Sequence, residues 1–206
     1  VGPNEAGKTA VLQALQQINA PKDVPKFDPL RDYPRSRYND ITTKKVDPAQ
    51  VTVVEAHFSL DPDDLEGLDD DFKKCEYVVY RKLNNTKVHE LTGAPNAPTY
   101  GSISKDLIRL AAHVDGRVPP PAEGVAAAPK PSAELAAMTQ GWAESKRLDA
   151  TSSQLVDKWL DKSIPLVDES NSTEGKRLDD LRTAVSVAPR RDDALRKMHA
   201  RLPVFV

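Results

Sequence analysis

Val11, Leu12, Leu15 and Ile18 recur at three- and four-residue steps, which predicts an amphipathic helix with one apolar stripe. The segment stops near Asn19, and Pro21 blocks its continuation. Residues 20–50 carry no period. Pro21, Pro25, Pro29, Pro34 and Pro48 punctuate them, so a loop is expected there. From Val51 the period becomes two. Thr52, Val54, Ala56, Phe58 and Leu60 make the more apolar face of a predicted strand, and Val51, Val53, Glu55, His57 and Ser59 make the other. Two further runs, Glu76–Lys82 and Lys87–Leu91, flank the turn-forming Asn84 and Asn85, and the three together predict a small antiparallel sheet.

Helical spacing returns at Ser104–His113, with Leu107, Ile108, Leu110 and Ala111 expected inward. Pro119–Pro121 and the Ala/Pro run through Pro131 predict a linker or an extended crossing. Beyond it Leu148, Leu155 and Trp159, then Leu178, Leu181 and Val185, then Leu195, Met198 and Leu202 fall at helical steps. Two or three helices packed as a hairpin or arm are expected. The spacing does not sustain the three or four heptads of a long coiled coil.

The residues Gly2-Pro3-Asn4-Glu5-Ala6-Gly7-Lys8-Thr9 spell G-x-x-x-x-G-K-T, a complete phosphate-binding P-loop, directly before the first predicted helix. The chemistry requires this spacing. Gly2 and Gly7 let the backbone turn tightly and point its N–H groups at a phosphate. Lys8 reaches the β/γ oxygens, the Thr9 hydroxyl binds Mg²⁺, and the following helix turns its positive end toward the anion. A chance match arises in roughly one chain in a hundred of this length. Only Val1 precedes the loop, so the chain is expected to be the interior of a longer protein.

Composition narrows the classes. The 29 Lys and Arg against 31 Asp and Glu leave a charge of −2, so nucleic-acid binding would need a local patch. The single cysteine, Cys75, excludes an internal disulfide framework and suits a reducing compartment; near a strand it reads as core filler. No run of ~20 apolar residues predicts a membrane span, and the cytoplasm is the expected location.

Several other features suggest chemistry and lose to plainer readings. The acidic run from Asp61 to Asp71 lacks the partner glutamate of a nuclease site, and Leu65 stands at a ligand position of an EF-hand, so a solvated loop is expected. His57, His89, His113 and His199 show no ligand spacing. The stretch Lys26–Lys45 interleaves Arg31, Arg35, Arg37, Lys44 and Lys45 with Phe27, Tyr33 and Tyr38. Arginines among aromatics can clamp a phosphate or stack on a base, and Arg35 and Arg37 are the candidates there, against a plain surface loop.

The words inside the P-loop, Pro-Asn-Glu-Ala, resemble the GPNEAGK[ST] loop of ABC-type ATPases of the SMC/RecF/OLD-like group, which includes DNA-repair ATPases and ATP-dependent OLD-family endonucleases. The resemblance is tight over residues 2–9. It extends loosely to 41–92, which would match the antiparallel β-lobe of such ATPases, and to the Leu-Pro-Val-Phe-Val end, which resembles a strand entry. It implies an α/β (α+β) P-loop NTPase fold: a partial ATPase head over 1–118, a linker over 119–131 and a helical arm over 132–206. It also implies ATP and Mg²⁺ as ligands, Lys8 as the catalytic cation, Thr9 as the metal ligand, and the Asn4–Gly7 backbone as the phosphate cradle. A homodimer around an ATP sandwich and work on DNA are implied for the whole protein. Leu91-Thr92-Gly93 resembles the family's L-S-G-G motif but lacks the second glycine and comes too early, so it reads as a turn. Hydrolysis also requires a strand that ends in an Asp-Glu pair, and no such strand is expected here. Two alternatives stay open: a P-loop small-molecule kinase, and a helical interaction module carrying a relic P-loop.

Overall fold

The computed structural model describes residues 8–22, 24–120, 129–168 and 170–202. The chain divides into two compact units, Val1–Ala94 with Ala194–Val206, and Pro95–Asp193. The fold is mixed: helices with a three-stranded antiparallel sheet.

In the first unit, α1 spans Lys8–Ile18, the short helices α2 and α3 span Pro29–Asp32 and Tyr38–Thr42, and strands β1, β2 and β3 span Thr52–Phe58, Glu76–Lys82 and Lys87–Thr92. The strands pair in the order β1-β2-β3. Their register sets Phe58 opposite Tyr77, Tyr77 opposite Leu91, and Ala56 opposite Val79. These residues share one face, so the alternation expected for β1 is the one that meets the core: Val54, Ala56 and Phe58 pack against Phe72, Tyr77, Val79 and Leu91. The turn expected at Asn84-Asn85 closes the β2–β3 hairpin, with Asn85 in the left-handed region at φ 70°.

Residues 20–50 are more structured than their prolines suggested. Asp28 accepts from the backbone N–H groups of Leu30 and Arg31, and Pro29 opens α2. Asp47 accepts from Ala49 N–H ahead of a turn that opens at Pro48. A proline at the first helical position gives up an N–H that has no partner anyway, so here it starts a turn of helix instead of ending one. The acidic run is a surface loop tied to the core at two points. Leu68 and Phe72 are buried, and Asp61 Oδ1 accepts from the backbone N–H groups of Asp63 and Asp64. Lys197 Nζ donates to the Gly67 carbonyl at 2.7 Å, and Arg201 donates to the carbonyls of Asp64 and Glu66.

One corner of this core is polar. The Tyr77 hydroxyl shares a 2.6 Å hydrogen bond with His89 Nδ1 and lies 3.4 Å from His199 Nδ1, and burial pushes its pKa up to about 12. Burial, then the nearby His199 and Lys87, hold His89 down to about 4. Unfolded, this imidazole takes up its proton near 6.5, so below that pH the unfolded chain binds more protons than the folded one. Stability should therefore be intact above pH 6.5 and fall as the pH drops toward 4. Partial exposure of the ring limits the loss to about 1–2 kcal/mol. Urea midpoints measured across that window should show the step in the native chain and a reduced one in His89→Gln.

In the second unit, α4 spans Tyr100–Asp115, α5 Pro131–Met138 and α6 Ala150–Ser163, and α7, Ser172–Arg201, contributes its residues through Asp193. Ile103, Leu107, Leu110, Ala111 and Val114 make the buried stripe of α4. Ile108, expected inward, is 58% exposed, since each residue turns ~100° and the one after Leu107 leaves the stripe. Leu155 on α6 is exposed for the same reason, next to a stripe of Ser152, Val156, Trp159 and Leu160. Asp149 and Ser152 close a capping box at the start of α6. The separate runs expected over 178–202 are one 30-residue helix, continued through Pro189. Within this unit α4 packs against α5.

At the base of α7 a carboxylate is fully buried. Arg117 donates from Nη1 to Glu174 Oε1 at 2.6 Å and from Nη2 to Oε2 at 3.1 Å, and its Nη1 also reaches the Leu166 carbonyl at 2.9 Å. Among the described residues no helix is long and apolar enough to cross a membrane.

Candidate functional site

The P-loop expectation meets the described structure at α1. Gly2, Pro3, Asn4, Glu5, Ala6 and Gly7 lie outside the described residues, as does the side chain of Lys8. The described part of the helix behind them runs from Lys8, with Thr9 and Ala10 exposed. The first N–H groups of a helix have no partner within it and, with the helix dipole, favour an anion. At the other end Ile18 is 2% exposed and anchors α1 in the core. Between them the expected stripe is not covered: Val11 and Leu12 are 61% and 63% exposed, and Leu15 is 39% exposed.

A cleft of about 550 Å³ runs beside α1. Ala10, Gln13 and Gln17 line it from the helix, and Lys26, Phe27, Arg31 and Asp32 line it from the segment that follows. Three hydrogen bonds hold the segment around Pro25 and Phe27 in place. Gln17 Nε2 donates to the Pro25 carbonyl at 2.9 Å, and its buried Oε1 has no partner among the described residues. Asn85, in the hairpin turn, accepts from Phe27 N–H at 2.8 Å and donates to the Phe27 carbonyl at 2.9 Å. A side-chain amide thus pairs with the Phe27 backbone much as a neighbouring strand would. Arg31 is paired with Asp32, and its guanidinium pKa is raised by that hydrogen bond. The cleft offers an aromatic ring, amides, Lys26 and the Arg31–Asp32 ion pair to a ligand.

Of the residues singled out between Lys26 and Lys45, Phe27 and Arg31 line this cleft. Arg35 and Arg37 instead occupy a single exposed turn after Pro34 and do not line it. Gln13 and Gln17 went unremarked in the sequence; their four-residue spacing on the helix behind the P-loop is the signal that marks them. Among the described residues no group of three or more His, Cys, Asp or Glu is placed to hold a metal ion. No family model matches this chain, and neither a curated protein nor a solved structure matches it.

Proposed function

We propose that this chain carries the ATP-binding front of an ABC-type ATPase head of the SMC/RecF/OLD-like group. The observation that supports the reading most is that the residues directly after the motif lie in a helix, α1, as a P-loop requires. The antiparallel sheet that follows is in keeping with the β-lobe the resemblance implies. In this reading the Asn4–Gly7 backbone cradles the phosphates and Lys8 neutralises charge developing on the γ-phosphate. Thr9, exposed on α1, would hold Mg²⁺. Magnesium bound through one or two protein groups, phosphates and water needs no cage of carboxylates, so the residues present fit it. When bound, the ion screens the phosphate charge.

Binding is the activity assigned to these residues, since the apolar run Ile164–Val167 ahead of Asp168-Glu169 follows α6 in a short helical turn and not in the strand that a hydrolytic Asp-Glu pair requires. Turnover, dimerisation around ATP and coupling to DNA repair or processing belong to the whole protein in this proposal. Titration calorimetry with Mg-ATP tests it. Lys8→Ala should weaken binding roughly tenfold or more, the loss expected for a charge-assisted contact. Absence of any Lys8-dependent heat at millimolar Mg-ATP would overturn the reading.

A further inference from the structure

On the inward face of β2 and β3, Arg81 and Lys87 stand directly opposite each other in the strand register. Like charges so placed are destabilising unless something neutralises them. Both side chains are half-buried. Arg81 Nε is shielded from solvent and makes no hydrogen bond among the described residues, and Lys87 Nζ donates to the neutral Asn19 Oδ1 at 3.1 Å. Two imidazoles join them, His89 from β3 and His199 from α7, with ring centroids 4.3 Å apart.

These groups push one another in one direction. Lys87 is held below its ordinary pKa by burial and by Arg81, His89 by burial, His199 and Lys87, and His199 by burial and Lys87. The polar groups facing the cluster are Asn19 beyond α1, Tyr77 and Arg81 on β2, Lys87 and His89 on β3, and His199 on α7. No carboxylate among the described residues forms an ion pair with Arg81 or Lys87. Half-buried cations are ordinarily paired, and a cluster without a counter-ion calls for an anion from outside.

We infer that this corner of the first unit binds a phosphate-class oxyanion, with Arg81 and Lys87 as its charge partners and His89 and His199 at its margin. A phosphate presents three or four acceptor oxygens to these donors, whereas a single carboxylate would leave about half of them unmet. The inference does not rest on the P-loop, and its test weakens the P-loop's contribution and reads signals local to the cluster.

The side-chain ¹⁵N signals of His89 and His199 are followed in the full chain carrying Lys8→Ala. Inorganic phosphate is titrated at pH 7 beside sodium chloride of equal ionic strength. A saturable phosphate shift that chloride does not reproduce is expected, weakened roughly tenfold or more in Arg81→Met and in Lys87→Met. Both substitutions remove a repelling charge and keep an apolar stem, and retained amide dispersion checks that the variants fold. A parallel titration with a short single-stranded oligothymidylate identifies the source: tighter response than to inorganic phosphate means a nucleic-acid backbone, and an equal or weaker one means a small phosphate. A shift that chloride matches, or that survives both substitutions, overturns the inference.

Discussion

Arg117→Ala should lower the thermal midpoint of the second unit by about 10 °C at neutral pH, because it strands a carboxylate that water cannot reach. Glu174 is fully buried, and Arg117 engages both of its oxygens. Without Arg117 the nearest cation-forming group is His113, whose Nδ1 lies 3.9 Å away and whose side chain is half exposed. The orphaned carboxyl then escapes its penalty by taking up a proton. The deficit should shrink as the pH falls below the range where a carboxyl ionises, a recovery that simple loss of packing would not give. Arg117→Lys should rescue only partly, since an ammonium cannot serve both oxygens and the Leu166 carbonyl in the same fork. Arg117→Met with Glu174→Leu should cost far less than Arg117→Ala alone.

Trp159→Ala should cost about 3–5 kcal/mol. The indole is 4% exposed within the core shared by α4, α5, α6 and α7, and its Nε1 donates to the Pro131 carbonyl at 3.0 Å. Two terms are involved, and Trp159→Phe separates them by keeping most of the volume while giving up the hydrogen bond, for about 1 kcal/mol. The tryptophans also supply the readout. The chain has two, Trp142 and Trp159, and both lie in Pro95–Asp193. In Trp159→Phe, Trp142 fluorescence against urea still follows the second unit, while far-ultraviolet circular dichroism follows the whole chain. Coincident transitions for a variant confined to the second unit would show that the two units unfold together.

The sheet was readable because its evidence is local. Alternation over 51–60 and the Asn84-Asn85 turn fix strand, face and hairpin within a few residues of each other. The helices were readable in kind but less so in extent. Ile108 and Leu155 share their hydrophobicity with buried neighbours and differ only by a turn of the helix, which a list of apolar residues does not weigh. Asp28-Pro29 and Asp47-Pro48 are composed like loop breakers yet act as helix starts, and only the capping geometry tells the two apart. The candidate sites divide the same way. The P-loop is eight consecutive residues and can be read directly. The cleft beside α1 depends on Asn85 holding Phe27, 58 positions away in the chain, and no local pattern carries that. Arg81 and Lys87 face each other only through the hairpin register, so their opposition appears once the strands are paired.

The first unit is written in two separated pieces, and this gives the nascent chain a timing problem. Tyr77 leaves the ribosome 122 residues before the His199 that lies beside it. At ordinary translation rates that interval is on the order of ten seconds. Until Ala194, Met198 and Leu202 arrive, the sheet has emerged with part of its apolar face uncovered, while Pro95–Asp193 is already able to close its own core. The newborn protein is therefore most exposed to misassociation through the strands made early, and the last turns of α7 end that exposure.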